Sequence, residues 1–376
     1  MDAGPAAVPG PAVLSIDWNE DNSCFAVCTE VGFSVWQSDP MTALCHRDVG
    51  GVGHVGLFHR TSLLVLVGGG KDPFDSPNKA VLWDDVKCRV VGYVEFRLPI
   101  LRVQRRKDLL VVATATKVYA YHLAIVKGAM SDPPTLLYET DAGDNRRGLF
   151  CVHAPPGGDT ATAVHPTTAA GSVCVSTFST VPPRVGAGEE ATTSSPPALI
   201  EAHRHPLVHL SMAPSGALLA TASESGTVIK VFEIESGGLL HVLRAQFLST
   251  TIASISFNRS ATLLCGTFGD VLHVFKLTRL GATVVAAAAK SYVEWVSAYV
   301  PLPKVEGVPS AAQTRLPGPS ACVFLPDAGS ALAVCTNGSA LRFRLMLADA
   351  KLQMSEFHKL QRRDEKSDFL KMLDFA

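Results

Sequence analysis

The chain repeats pairs of short segments in which apolar and polar residues alternate, and this pattern most limits what it can fold into. Examples are "SCFAVCTEVGFSVWQ", "LLVVATATKVYAYHL" and "ALLATASESGTVIKVFEI", each broken by Gly, Ser, Asp or Asn. Alternating Val, Ile, Phe and Tyr around such turns predict β-hairpins. The pairs recur roughly every 40–50 residues, the period of β-propeller blades. We therefore predict an all-β fold, a WD40-like β-propeller with about seven blades.

The repeats predict one domain, because a single blade cannot bury both of its faces and the blades must close into a ring. We place the propeller at residues 12–360, with a flexible N-terminus (1–11) and a C-terminal tail (361–376) that is either disordered or a short amphipathic segment. The Pro- and Ser-rich run Val181–Pro197 is predicted to be a surface loop. We expect the terminal strands to share a blade and so to lock the ring.

Composition excludes several classes of function. The 376 residues are 47% hydrophobic and 18% charged with a formal net charge of -1, which disfavours nucleic-acid binding. No apolar run is long enough to span a membrane, and the start does not resemble a signal peptide, so we predict a cytoplasmic monomer. Nine cysteines without a CxxC pair predict reduced, buried thiols.

The sequence gives no sign of an enzyme. It contains no G-x-S-x-G motif, and the G-x-G-x-x-G of Gly51–Gly56 lies between hairpins instead of opening a helix. His203, His205 and His209 are clustered, but no Cys, Asp or Glu stands at ligand spacing. We therefore predict no catalytic residue, metal or cofactor.

One short motif has the chemistry of an anion site. "DNRRGLF" places Arg146 and Arg147 before Gly148. Guanidinium groups bind phosphate oxygens in bidentate fashion, and glycine allows close approach of the backbone. On residue type alone, this motif is a candidate phosphate site.

Longer motifs resemble a known family. "LLVLVGGGKDPFDSPNKAVLWDD" (Leu63–Asp85), "AHRHPL" from Ala202 and "LLATASESGTVIKVFEIESGGLL" from Leu218 resemble the PROPPINs, the phosphoinositide-binding β-propellers of autophagy that are called WIPI proteins in animals. The similarity covers most of residues 12–360. It implies a non-enzymatic peripheral membrane adaptor that acts in autophagosome formation on autophagic or endosomal membranes.

The resemblance relocates the expected lipid site. The family motif Phe-Arg-Arg-Gly aligns with "LRAQ", which keeps Arg244 but has Ala245 in place of the second arginine. "DNRRGLF" aligns with a turn that enters the fourth blade, so the resemblance gives it no lipid role, and the role of Arg146 and Arg147 stays open.

Each family arginine serves one of two phosphoinositide pockets. For the first pocket, the resemblance implies His203, Thr221, Ser223, Thr227, Lys230 and Arg244. For the second, only Thr267 and His273 remain, because Gly266 and Val271 replace a serine and a threonine. We predict weak binding of phosphatidylinositol 3-phosphate through at most one pocket. The alternative is that the hydroxyls are ordinary turn residues and that the chain is a protein-interaction propeller that has lost lipid binding.

Two loops complete the comparison. A sixth-blade loop contacts membranes in the family, and here it contains Tyr292, Trp295, Val296 and Tyr299. Its alternative is a helix packed on the propeller. A second-blade loop engages a lipid-transfer partner of the autophagy machinery in such relatives, and here Pro73, Phe74 and Pro77 would form a semi-rigid apolar tip. Its alternative is a hairpin ordered by proline.

Overall fold

The structure is a computed structural model that describes residues 11–58, 61–106, 108–126, 129–183, 197–226, 228–245, 250–277, 307–327, 329–346, 349 and 351–360. The described residues form strands, turns and connections, with no helix among them. Seven sheets follow one another along the chain, each with four antiparallel strands and one with an additional fifth strand. We call them blades 1 to 7. The predicted seven-bladed all-β propeller is confirmed.

The strands of the first four blades follow the chain in order. Blade 1 contains β1 (Val13–Trp18), β2 (Cys24–Thr29), β3 (Phe33–Ser38) and β4 (Met41–Arg47). Blade 2 contains β5 (Val52–Gly56), β6 (Leu63–Gly68), β7 (Lys79–Asp84) and β8 (Arg89–Glu95). Blade 3 contains β9 (Arg102–Arg106), β10 (Leu109–Ala113), β11 (Lys117–His122) and β14 (Thr135–Asp141), with a small hairpin of β12 (Ile125–Val126) and β13 (Ala129–Met130). Blade 4 contains β15 (Cys151–His153), β16 (Thr160–Pro166), β17 (Ser172–Ser179) and β18 (Ala198–Glu201).

The last three blades repeat the plan with one addition. Blade 5 contains β19 (Leu207–Met212), β20 (Leu218–Ser223), β21 (Val228–Glu233) and β22 (Leu239–Arg244), joined by a fifth strand, β26 (Val308–Pro309). Blade 6 contains β23 (Ile252–Phe257), β24 (Leu263–Phe268), β25 (Val271–Lys276) and β27 (Ala312–Arg315). Blade 7 contains β28 (Ser320–Phe324), β29 (Ser330–Cys335), β30 (Ser339–Met346) and β31 (Lys351–Lys359).

The core lies between the blades. Seven buried apolar clusters each join two adjacent blades. In β6, Leu64 and Leu66 pack toward blade 1, while Val65 and Val67 pack toward blade 3. Because successive side chains of a strand point to opposite faces, a central strand covered on both sides is apolar at nearly every position.

The ring closes without a shared blade, which corrects our prediction for the terminal strands. Blade 1 takes all four strands from the start of the chain, and blade 7 takes its four from the end. Side chains join the two blades instead. Arg342 donates to both carboxylate oxygens of Asp39 at 2.7 and 3.0 Å, Asn22 donates to the Phe324 carbonyl at 2.9 Å, and an apolar cluster lies between them.

Strand direction decides which loops lie together. Because the strands of a blade alternate in direction, the turn between its second and third strands is on the same face of the disc as the connection to the next blade. We call this the upper face. It contains the turn after β20 and the connections that follow β14, β18 and β22.

Candidate functional site

The first predicted pocket is built on the face of blade 5 that points toward blade 4. Thr221 of β20 lies opposite Lys230 of β21, and Val228 of β21 lies opposite Arg244 of β22. Opposite residues on neighbouring strands point to the same face. The Lys230 amine donates to the carbonyl of Ala202, just after β18, at 2.7 Å. Thr221, Lys230 and Arg244 therefore share the face toward blade 4, with Arg244 at the upper edge.

His203 and Thr221 are hydrogen-bonded to each other. The Nε2 atom of His203 is 2.9 Å from the hydroxyl of Thr221, which has no exposed surface. Burial, together with the nearby charge of Lys230, lowers the pKa of His203 to about 4. His203 is therefore a neutral imidazole near pH 7, and Thr221 orients it instead of facing a ligand.

Ser223 closes β20 at the upper edge. Its hydroxyl is 3.0 Å from that of Ser225, and the side chain is almost fully buried. The turn requires glycine at position 226, where φ is +62° and a Cβ would lie 2.0 Å from the Thr250 carbonyl oxygen. Thr227 lies outside the described residues. The hydroxyls of Thr221 and Ser223 thus both have partners within the protein.

Positive side chains surround this edge. Burial lowers the pKa of Lys230, and the charge of Arg204 in the connection after β18 lowers it further. The protonated amine of a lysine has three N–H donors, and the Ala202 carbonyl accepts a hydrogen bond from one of them. Arg204 and Arg244 are exposed. The edge can therefore hold an anion with Lys230, Arg204 and Arg244.

Arg147 reaches the same edge, which the sequence did not predict. Arg146 and Arg147 lie between β14 and β15, in the connection that enters blade 4. Arg146 pairs with Asp144 at 2.9 Å, whereas Arg147 lies 3.5 Å from a carboxylate oxygen of Glu224, in the turn after Ser223. The signal that could have located it is topological, because connections between blades share a face with the turns after second strands.

The residues predicted for the second pocket do not come together. Thr267 lies opposite Leu272, and His273 lies opposite Gly266, so the two side chains point to opposite faces of blade 6. The Thr267 hydroxyl bonds that of Ser254 at 3.0 Å and the Ser320 carbonyl of blade 7 at 3.4 Å. This corrects the expectation that Thr267 and His273 remain as parts of one pocket.

Apolar atoms occupy the interface between blades 5 and 6. A Cβ on Gly266 would lie 2.8 Å from Cδ1 of Ile229. The His273 ring packs between Phe268 and Phe275, with ring centroids 5.1 and 6.1 Å away, and burial lowers its pKa. Ala245, at the position of the second family arginine, packs against the same cluster. Among the described residues, this interface is therefore an apolar core.

The second-blade loop differs from the predicted apolar tip. Pro73 and Pro77 are exposed, but Phe74 packs its ring edge-on against Trp83 at 5.9 Å between centroids. The Phe74 amide donates to the Gly51 carbonyl at 2.9 Å, which ties the loop to blade 2. Of the three residues predicted to form the tip, Phe74 packs against the blade and the two prolines are exposed.

The membrane-loop residues are not described, and the described residues offer neither a metal site nor a membrane-spanning helix. Tyr292, Trp295, Val296 and Tyr299 lie outside the described residues. Within the described ranges, no group of three or more His, Cys, Asp or Glu side chains could hold a metal ion. No described helix could span a membrane. The described cysteines are free, and Cys88 is exposed, unlike the buried thiols we predicted.

Comparison with known proteins points in one direction. The sequence model of the PROPPIN family matches residues 189–297. SVP1-like protein 2 of Pichia angusta is 33% identical over 272 residues, which are 71% of this chain and 71% of that protein.

Solved structures have the same fold. Kluyveromyces marxianus Hsv2 is similar with a TM-score of 0.69 at 16% identity over 94% of this chain and 100% of that one. A complex of KlAtg21 with the coiled-coil of AgAtg16 is similar with a TM-score of 0.66 at 18% identity over 93% of this chain and 100% of that one.

Proposed function

The chain belongs to the PROPPIN family, whose members are autophagy-related phosphoinositide-binding propellers, and from this premise we propose a specific role. We propose that it is a non-enzymatic adaptor, peripheral on autophagic or endosomal membranes. It binds the headgroup of phosphatidylinositol 3-phosphate through one pocket, weakly compared with relatives that have two.

The upper edge of the interface between blades 4 and 5 carries the proposal. Lys230, Arg204 and Arg244 approach this edge from two strands and a connection, and the neutral His203 lies beside them. Charged hydrogen bonds to phosphate contribute about 1.5–3 kcal/mol each. Arg244 and Lys230 would bind the phosphate, and His203 would donate or accept one further hydrogen bond.

The apolar filling between blades 5 and 6 supports the restriction to one pocket. A phosphate placed there would have to displace Ile229 and the ring of Phe268. It would also meet Ala245 where a guanidinium would be needed. Desolvating an anion among apolar groups without a charged partner is strongly unfavourable.

A second candidate function has its own support. The hydroxyls of Thr221 and Ser223 bond to His203 and Ser225, so the protein already satisfies two of the groups that a headgroup would use. A propeller that only binds proteins would need no further donors there. The exposed Pro73 and Pro77 would then form part of its main contact surface, with a lipid-transfer protein of the autophagy machinery as the partner.

Vesicle flotation separates the two functions. We expect the full chain to float with phosphatidylcholine vesicles only when they contain phosphatidylinositol 3-phosphate, and we expect Arg244→Ala or Lys230→Ala to weaken flotation. Wild-type protein that captures the lipid-transfer partner but never floats would favour the second function. Flotation lost in Arg146→Ala/Arg147→Ala and kept in Arg244→Ala would overturn the assignment of the headgroup to Arg244 and favour a site on the connection before β15.

Two loops extend the proposal. Tyr292, Trp295, Val296 and Tyr299 would enter the headgroup region of the bilayer, since aromatic side chains favour that depth. Substituting all four with serine should weaken flotation at constant headgroup content. Pro73→Ser/Pro77→Ser should weaken capture of the lipid-transfer partner, and flotation unchanged by this variant would separate the two surfaces.

A further inference from the structure

Blade 5 has a fifth strand beside Arg244. β26 runs parallel to the outer strand β22, with Val308 opposite Leu243 and Pro309 opposite Arg244. Val308 also packs against the apolar cluster between blades 5 and 6. This short strand is therefore anchored by its pairing and by its side chain, and it places Gly307 at the rim next to Arg244.

Gly307 touches the Arg244 side chain along its length. A Cβ built on Gly307 would lie 2.4 Å from Cγ, 2.5 Å from Cδ and 2.9 Å from Nε of Arg244. Gly307 does not have a left-handed φ, so its backbone conformation is open to other residues. The close approach of Arg244 is what excludes a side chain at position 307.

We propose that Gly307 is a positioning residue for Arg244. The backbone at Gly307 forms a wall that holds the arginine stem in one orientation at the edge facing blade 4, so that the guanidinium is in place before a phosphate arrives. This inference rests on the proposed function, in which Arg244 binds the headgroup. It matters more here than in a two-arginine site, because Ala245 leaves Arg244 as the one arginine of the motif.

The physical benefit is pre-organisation. A free arginine samples many rotamers and loses this freedom when it binds, which weakens binding. A side chain already confined by a neighbouring backbone loses less. The three atoms nearest to a new Cβ at position 307 all belong to the Arg244 side chain, which can relieve the clash by swinging away while the blade keeps its structure.

The test compares two glycines. Gly307→Ala and Gly307→Val are measured against Gly318→Ala, because a Cβ on Gly318 would meet nothing within 4 Å. Binding is measured by flotation on phosphatidylcholine vesicles with and without phosphatidylinositol 3-phosphate. We expect the Gly307 variants to bind about tenfold more weakly or worse, a range set by one charged hydrogen bond, and Gly318→Ala to bind like wild type.

A double-mutant cycle identifies the mechanism. In an Arg244→Ala background the obstructing atoms are gone, so Gly307→Val should cause no further loss of binding. Wild-type binding by Gly307→Val, with Arg244→Ala impaired, overturns the positioning role and leaves the headgroup site intact. Wild-type binding by Arg244→Ala overturns the headgroup site itself.

Discussion

The two sides of blade 5 each carry a buried apolar cluster, but they differ in the side chains near the upper edge. Toward blade 4, its side chains Thr221, Lys230 and Arg244 meet polar groups and solvent. Toward blade 6, its side chains Ile229 and Ala245 are part of an apolar cluster. Two neighbouring interfaces of one propeller can therefore be packed differently at the same edge, one with charged and polar side chains and the other with apolar ones.

The largest expected effect is on stability, on the side toward blade 6. Ile229 has no exposed surface, so Ile229→Ala should lower the free energy of unfolding by about 2–5 kcal/mol, measured by chemical denaturation. Ile229→Val is the matched control, at about 0.5–1.5 kcal/mol. Lipid binding by the folded fraction should not change. A change in headgroup affinity would contradict the division between the two sides.

The next effect is on binding, on the side toward blade 4. Arg244→Ala should weaken binding of phosphatidylinositol 3-phosphate by about 1.5–3 kcal/mol, the value of one charged hydrogen bond, as measured by vesicle titration. Because Arg244 is exposed, stability should change by less than about 0.5 kcal/mol. Arg146→Ala is the control, since Arg146 is an equally exposed arginine paired with Asp144. Equal loss in both variants would indicate general charge attraction.

A serine at position 266 tests whether the interface between blades 5 and 6 can hold a lipid headgroup. Gly266→Ser restores a hydroxyl to the side toward blade 6, but its Cβ would approach Ile229 Cδ1 to 2.8 Å. We expect overpacking to cost about 1–3 kcal/mol of stability without adding a second lipid site. The measurements are the denaturation midpoint and the number of lipids bound at saturation. A second bound lipid would mean that the interface is a closed pocket and not a core.

The last expected effect is a pH dependence of stability from His203. Its pKa is about 4 when folded and 6.5 in the unfolded chain, so the unfolded state binds the extra proton. Stability should therefore fall as pH decreases from 6.5 toward 4, by at most about 1.4 kcal/mol per pH unit for one histidine. His203→Gln should reduce this slope, measured by denaturation at several pH values. His209→Gln is the comparison, because burial lowers the pKa of that histidine to about 3.

The fold could be predicted because hairpins are local. The continuous apolar run Leu63–Gly68 is typical of a central strand, because both of its faces are covered by neighbouring blades. The predicted lock between terminal strands was wrong, because no local pattern records whether the first blade borrows a strand from the end of the chain. Arg342 and Asp39, which join those blades, are 303 residues apart in the sequence.

The site could be predicted only in part, for the same reason. The resemblance suggested His203, Lys230 and Arg244 for one pocket. The strand register and the contact of His203 with Thr221 bring these three residues to one side of blade 5. The alignment could not show that Thr267 and His273 point to opposite faces of blade 6, because a motif does not give the pairing of the two strands. The contact between Gly307 and Arg244 could not be predicted from the sequence, because it joins segments that are distant along the chain.

The separate end blades also bear on how the molecule is made. Every sheet from β1 to β31 can be assembled from one continuous stretch of chain, apart from the two-residue strand added to blade 5. The strands of blade 1 can therefore pair with one another locally, but its two apolar faces are covered only when blades 2 and 7 pack against them. Closure of the ring then depends on side-chain contacts between the two end blades, with the Arg342 guanidinium bound to the Asp39 carboxylate and an apolar cluster beside it.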